Sequence, residues 1–136
     1  MTTAELKQQL TKTKKPGGST PASSLTRAAL ATLHLFGFTA WRQNNAGVYD
    51  KALNNGAGGY RAGSAKRGIS DIMGYCERTG KIVAVEVKVG RDTLSDEQTE
   101  YLVGIDKAGG FAFECRDSVD ALHRKCKAWR GQHPAK

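Results

Sequence analysis

The chain has 136 residues, 39% hydrophobic and 25% charged, which suits one globular domain with a real but modest core. Its 21 Lys and Arg outweigh 13 Asp and Glu to leave a formal net charge of +8. That balance favours a polyanionic partner, nucleic acid first, because each neutralised phosphate releases condensed counterions.

The longest apolar stretch, AALATLHLFGF, is shorter than the roughly 20 residues a membrane helix needs, and the amino terminus lacks the apolar core of a secretory signal. A soluble, intracellular (cytoplasmic) protein with no membrane partner is expected. Cys76, Cys115 and Cys126 are an odd number at wide spacings with no CxxC couplet, so they read as reduced structural thiols. A zinc site borrowing His123 would have no familiar ligand spacing. Neither GxGxxG nor a Walker A sequence is present, so no nucleotide cofactor is implied.

In chain order, residues 1–22 read as a basic amino-terminal segment and linker, with breakers at Pro16, Gly17, Gly18 and Pro21, and residues 23–136 as the domain. Ser24 would cap a first helix carrying Leu25, Ala29, Leu33 and Phe36 inward and ending at Gly37. FTAWRQN is a first strand. Trp41 and Trp129 read as core or domain-edge packing ahead of base-stacking platforms. Residues 44–68 hold many Gly and Asn without apolar periodicity, predicting a loop or irregular hairpin. Within it Tyr49, Tyr60, Arg61, Lys66 and Arg67 supply stacking and phosphate-binding groups, as a loop gripping nucleic acid would; the alternative is a solvated loop with no specific partner.

SDIMGY is a second strand, ERTG a turn, and IVAVEVKV a third strand that alternates strictly. Val83, Val85, Val87 and Val89 take one face. Ile82, Ala84, Glu86 and Lys88 take the other, which turns charged halfway along. Ser95 and Gln98 make a capping box for a helix with Tyr101, Leu102 and Ile105 inward. FAFEC is a fourth strand, and Ser118 opens a last helix with Val119, Leu122, Cys126 and Trp129 buried.

The hairpin register decides what Glu86 meets. If the turn centres on Arg78 and Thr79, Tyr75 faces Ile82 and Asp71 lies opposite Glu86, so two carboxylates share a face at a spacing where like charges repel. A hard divalent ion would relieve them. If the turn centres on Thr79 and Gly80, Asp71 meets Lys88 in a cross-strand ion pair, and a three-residue loop would send Asp71 to the other face. Both alternatives stay open on the sequence.

The ordered set WRQNNAG, RGISDIMGY, VAVEVKVGRDTLSDEQTEYL and AGGFAFECRDSVDAL resembles the VRR-NUC branch (virus-type replication and repair nucleases) of the PD-(D/E)xK superfamily, over about residues 24 to 122. The resemblance implies an α/β, restriction-endonuclease-like αβββαβ core, a central mixed sheet flanked by helices, followed here by a C-terminal helix. It implies Mg²⁺ or Mn²⁺ bound by Asp71 and Glu86 with the Val87 carbonyl, and Lys88 orienting the attacking water or stabilising charge on the phosphate. Gln98 matches a glutamine that follows ExK and faces the site, although the capping box alone would explain it. Arg42 and Asn44 match an R.N segment that could reach metal-site water or backbone phosphate; a plain surface arginine is as natural a reading.

Two departures stand out. Ser70 replaces the nominal proline, and SSLTRAALATLHLFG lacks the glutamate that many family members carry on the first helix, near Ser23 or Ser24. Weaker metal binding, recruitment of Glu5, or a ligand from a second subunit would follow. The expected activity is a metal-dependent DNA endonuclease, selective for branched structures such as Holliday junctions, acting as a homodimer and of viral or phage origin. The alternatives are a non-catalytic nucleic-acid-binding domain on a nuclease scaffold and a sequence-specific restriction-type nuclease.

Overall fold

The structure, a computed structural model, describes residues 2–3, 20–43, 48–61 and 68–134. Among them the elements are α1 (Pro21–Leu35), β1 (Phe38–Arg42), β2 (Val48–Asp50), β3 (Gly59–Arg61), β4 (Ile72–Cys76), β5 (Ile82–Lys88), α2 (Asp96–Lys107), β6 (Phe111–Arg116) and α3 (Asp120–Gln132). The expected αβββαβα order is present, with the small antiparallel pair β2–β3 added inside the stretch read as a loop or irregular hairpin.

Helix α1 starts earlier than expected. Its N-cap is Thr20, whose hydroxyl accepts a hydrogen bond from the Ser23 amide at 3.1 Å. Pro21 opens the helix, where a missing N–H costs nothing, so the residue read as a linker breaker is a helix starter. At the other end Gly37 adopts φ +82, a left-handed turn that L side chains avoid, and the chain enters β1 at once.

The main sheet has the order β1-β4-β5-β6, antiparallel except for the parallel β5–β6 pair. Strict alternation along its strands gives it two different faces. On one, Val83, Val85, Val87, Ile72, Cys76, Phe111 and Cys115 pack against Leu25, Ala29 and Leu33 of α1 and Leu122, Cys126 and Trp129 of α3. Phe38, Phe111 and Trp129 meet ring to ring at 5.1 and 5.5 Å in this larger core. Each such side chain taken fully out of water contributes roughly 1.5–3 kcal/mol.

The second face is covered by α2 through a smaller cluster of Met73, Ala84 and Leu102, with Ile69, Leu94, Tyr101, Ile105 and Ala112 around it. The chain is therefore α/β, a mixed four-stranded sheet between helices, with the layout of a restriction-endonuclease-like core and a C-terminal helix. All three cysteines are free and buried. Burial pushes the Cys115 thiol up to about 11 and Cys126 up to about 12, as inert structural thiols require. His123 packs edge-on against Phe36 at 4.7 Å. No helix among the described residues is long and apolar enough to cross a membrane.

Candidate active site

The β4–β5 hairpin settles the register. Tyr75 pairs with Ile82 and Ile72 with Val85, so one further step sets Asp71 opposite Glu86. The next strands extend the row: the Gln43 amide donates to the Asp71 carbonyl at 2.7 Å, and Glu86 pairs with Glu114 across the parallel ladder. Gln43, Asp71, Glu86 and Glu114 thus lie abreast across four strands, on the face that α2 covers. The row sits toward the carboxyl ends of β5 and β6, where open α/β sheets place their ligands.

Glu86 is the unusual member. It is only 1% exposed, among the most deeply buried side chains of the chain. One oxygen, Oε1, accepts from Gln98 Nε2 at 3.1 Å; the other, Oε2, is buried with no hydrogen-bonding partner. Asp71 stands beside it, held by the Val87 amide, which donates to Oδ2 at 3.0 Å. Burial first, then the hydrogen bond and charge of Asp71, push the Glu86 carboxyl from 4.5 up to about 8; Glu114 adds to the rise and Lys88 opposes it. Two ionised carboxylates cannot bond each other. With both carboxyls charged Oε2 has no donor, and a proton on Glu86 would let it bond Asp71.

An orphaned buried carboxylate oxygen beside a second carboxylate is a donor set for a hard divalent cation, which takes oxygen ligands. The residues present fit such an ion with Asp71 and Glu86 as its holders. The set is lean: no acid lies in the first turn of α1, and no cluster of three His, Cys, Asp or Glu side chains able to hold a metal occurs among the described residues.

Gln98 makes the capping box and also faces the carboxylates. Ser95 Oγ accepts from the Gln98 amide at 3.1 Å while Gln98 Oε1 accepts from the Ser95 amide at 2.9 Å, completing the capping box. The remaining end of the same side-chain amide, Nε2, reaches Glu86. One side chain starts the helix and aims it at the carboxylate. Gly68 makes this packing close: a Cβ there would stand 2.4 Å from the Glu97 carbonyl, inside the first turn of α2.

Lys88 lies on the same face one alternation beyond Glu86, half-buried, paired across the ladder with Arg116. The guanidinium of Arg116 is taken by Glu114, through both Nε and a terminal nitrogen, and by the Gly90 carbonyl at 3.0 Å. Asp117 ties off the strand ends, its amide donating to the Lys88 carbonyl and its carboxylate accepting from the Gly90 amide at 2.7 Å. Both strands therefore end in a braced turn next to the carboxylates.

Asp71, Glu86, Lys88 and Gln98 are thus brought together, with the Val87 amide bonded to Asp71. Arg42 pairs with Ile72, so it stands on the opposite face of the sheet, exposed at the edge strand. Asn44, Lys66 and Arg67, together with the side chains of Tyr49, Tyr60 and Arg61, lie outside the described residues. Gln43, Glu114 and Arg116 join the site without having been singled out. A visible signal existed for two of them: AFECR repeats the pattern of AVEVK.

A mixed sheet flanked by helices, with a buried glutamate facing a half-buried aspartate at its strand ends and a lysine two residues on, defines a restriction-endonuclease-like domain. The VRR-NUC domain family matches residues 41–118, more than half of the chain, and the chain belongs to that nuclease family. Comparison of the chain with curated proteins and with solved structures gives no match.

Proposed function

We propose that the protein is a divalent-metal-dependent endonuclease that hydrolyses phosphodiester bonds in DNA, with branched DNA as the preferred substrate. The observation that carries this reading is the buried, partnerless Oε2 of Glu86 against Asp71. A Mg²⁺ or Mn²⁺ ion held by Asp71, Glu86 and the Val87 carbonyl would supply charge to the reacting phosphate and lower the pKa of the attacking water. The chain's own groups do the rest. The Val87 amide fixes Asp71 and Gln98 fixes Glu86, while the Lys88 ammonium would stabilise negative charge developing on the phosphate. The net charge of +8 draws the polyanion to the site, with Arg42, Asn44, Tyr60, Arg61, Lys66 and Arg67 as the contacts proposed for its backbone. A symmetric homodimer would present the two sites that cutting both strands of a junction requires.

A second reading, a nucleic-acid-binding domain that has lost turnover, draws on the acid-free first turn of α1. One experiment separates them: cleavage of a labelled linear duplex, single strand, flap and four-way junction with Mg²⁺, Mn²⁺ or EDTA. The nuclease reading expects metal-dependent cutting, strongest on the branched substrates, lost in Asp71→Ala and Lys88→Ala while binding survives. Tight binding without cutting under any metal would favour the second reading.

A further inference from the structure

Helix α2 covers only part of its sheet face. The uncovered part carries Trp41, Tyr75 and Ile82, which are 47%, 44% and 39% exposed. Their positions follow from the register. Trp41 pairs with Met73, one row inward from the Gln43, Asp71, Glu86 row, and Tyr75 pairs with Thr39 and Ile82 one row further in. Trp41 and Asp71 are diagonal neighbours on adjacent strands, a separation of roughly 7–8 Å that an indole spans. The Trp41 indole N–H donates to Gln43 Oε1 at 3.3 Å, so the ring and the amide orient each other. Gln43 in turn sits beside Asp71 through its backbone bond.

An exposed indole face joined to an oriented amide is the pair of groups that holds a nucleobase, the ring by stacking and the amide at the base edge. The chain's surplus of positive charge favours a polyanion as the occupant of this surface. We propose that Trp41 and Gln43 form a seat for one unpaired nucleobase adjoining the carboxylate pair. The base stacks on Trp41 and Gln43 bonds its edge, which leaves the phosphate that follows it on the side of Asp71 and Glu86, where the cation of the nuclease reading would receive it. A base inside a continuous duplex cannot enter this seat without leaving its stack. The seat therefore favours nucleic acid with a splayed nucleotide at a branch, flap or frayed end. This inference rests on the nuclease reading for the phosphate's fate, and not for binding of the base.

The test is binding by the full-length chain in EDTA, followed by tryptophan fluorescence, with a short oligothymidylate and a blunt duplex of equal length as ligands. Trp41 is exposed and Trp129 buried, so a stacked thymine quenches chiefly Trp41. The expected results are quenching by the single strand that disappears in Trp41→Phe, and single-strand affinity that falls about fivefold to a hundredfold in Trp41→Ala, the weight of one base–aromatic stack. Blunt-duplex affinity stays within about twofold, and Gln43→Ala lowers single-strand affinity less than Trp41→Ala does. Quenching that persists in Trp41→Phe overturns the seat, as does equal weakening of both ligands in Trp41→Ala. A sedimentation mass that drops from dimer to monomer in Trp41→Ala also overturns it, because the patch is then a contact between copies. The two proposals fail separately: Trp41-dependent binding without cutting in Mn²⁺ sinks the nuclease reading alone, and metal-dependent cutting with Trp41-independent binding sinks the seat alone.

Discussion

Strands β5 and β6 carry one pattern side by side. Ala84-Val85-Glu86-Val87-Lys88 runs parallel to Ala112-Phe113-Glu114-Cys115-Arg116, each residue paired with its counterpart. The two glutamates nevertheless have different chemistry. Glu114 sits on an edge strand, about a third exposed, and its own Arg116 reaches back to neutralise it. Glu86 sits on a central strand, sealed under α2, with another carboxylate on its far side and a lysine that moderates its charge without offsetting burial. The same local pattern thus yields a structural ion pair in one strand and a buried carboxyl with a raised pKa in the other. Neighbouring strands, not the residue, make the difference.

That contrast should be largest in turnover. Glu86→Gln is expected to lower the cleavage rate at least about a hundredfold, whereas Glu114→Gln should cost less than about tenfold; single-turnover kinetics on the preferred substrate measures both. Equal losses would mean that the two strands share one function.

Stability against pH separates them next. Folding raises the Glu86 carboxyl to about 8, so between about 5 and 8 the metal-free folded state keeps a proton that the unfolded state has released. Stability must therefore fall as pH rises through that window and level off above it. Thermal melts in EDTA should show this slope in the wild type and lose most of it in Glu86→Gln, which should melt on the order of 5 °C higher than wild type at pH 8. Glu114→Gln should keep the slope.

Gln98 sharpens the comparison, because it reaches Glu86 alone of the two. Gln98→Ala should cost on the order of 1 kcal/mol in denaturant unfolding through the lost cap and the second unpaired oxygen of Glu86. Gln98→Glu keeps a capping-box acceptor but adds a carboxylate beside Glu86. Its stability should approach that of wild type near pH 5 and drop below it above pH 7. The smallest effect belongs to Arg116→Ala, within about 1 kcal/mol, because the released Glu114 is exposed enough to find water.

Much of this was legible in the sequence where the determinant is local. Alternation in IVAVEVKV fixed the two faces of β5, the Ser95–Gln98 spacing located the start of α2, and Gly37 ended α1 as expected. The start of α1 was misplaced because Pro21 has two local meanings, breaker and first helical residue, and only the cap made by Thr20 chooses between them. The site was half legible. Asp71 against Glu86 was one of several registers, settled by a turn that places Gly80 at positive φ. Gln43 stayed hidden because its place in the row comes from β1 pairing with β4, a contact between segments about thirty residues apart. Trp41 shows the same limit: a tryptophan in a strand reads as packing until the extent of the covering helix is known, and here α2 stops short of it.

The most direct test of the central claim, that Glu86 and Asp71 form a cation site kept closed by a proton, is titration calorimetry of Mn²⁺ into the full-length chain near pH 7 in two buffers of different ionisation enthalpy. The account predicts binding that releases close to one proton per ion, tightens as pH rises toward 8, and is lost in Glu86→Gln. Binding that releases no proton and persists unchanged in Glu86→Gln would contradict it.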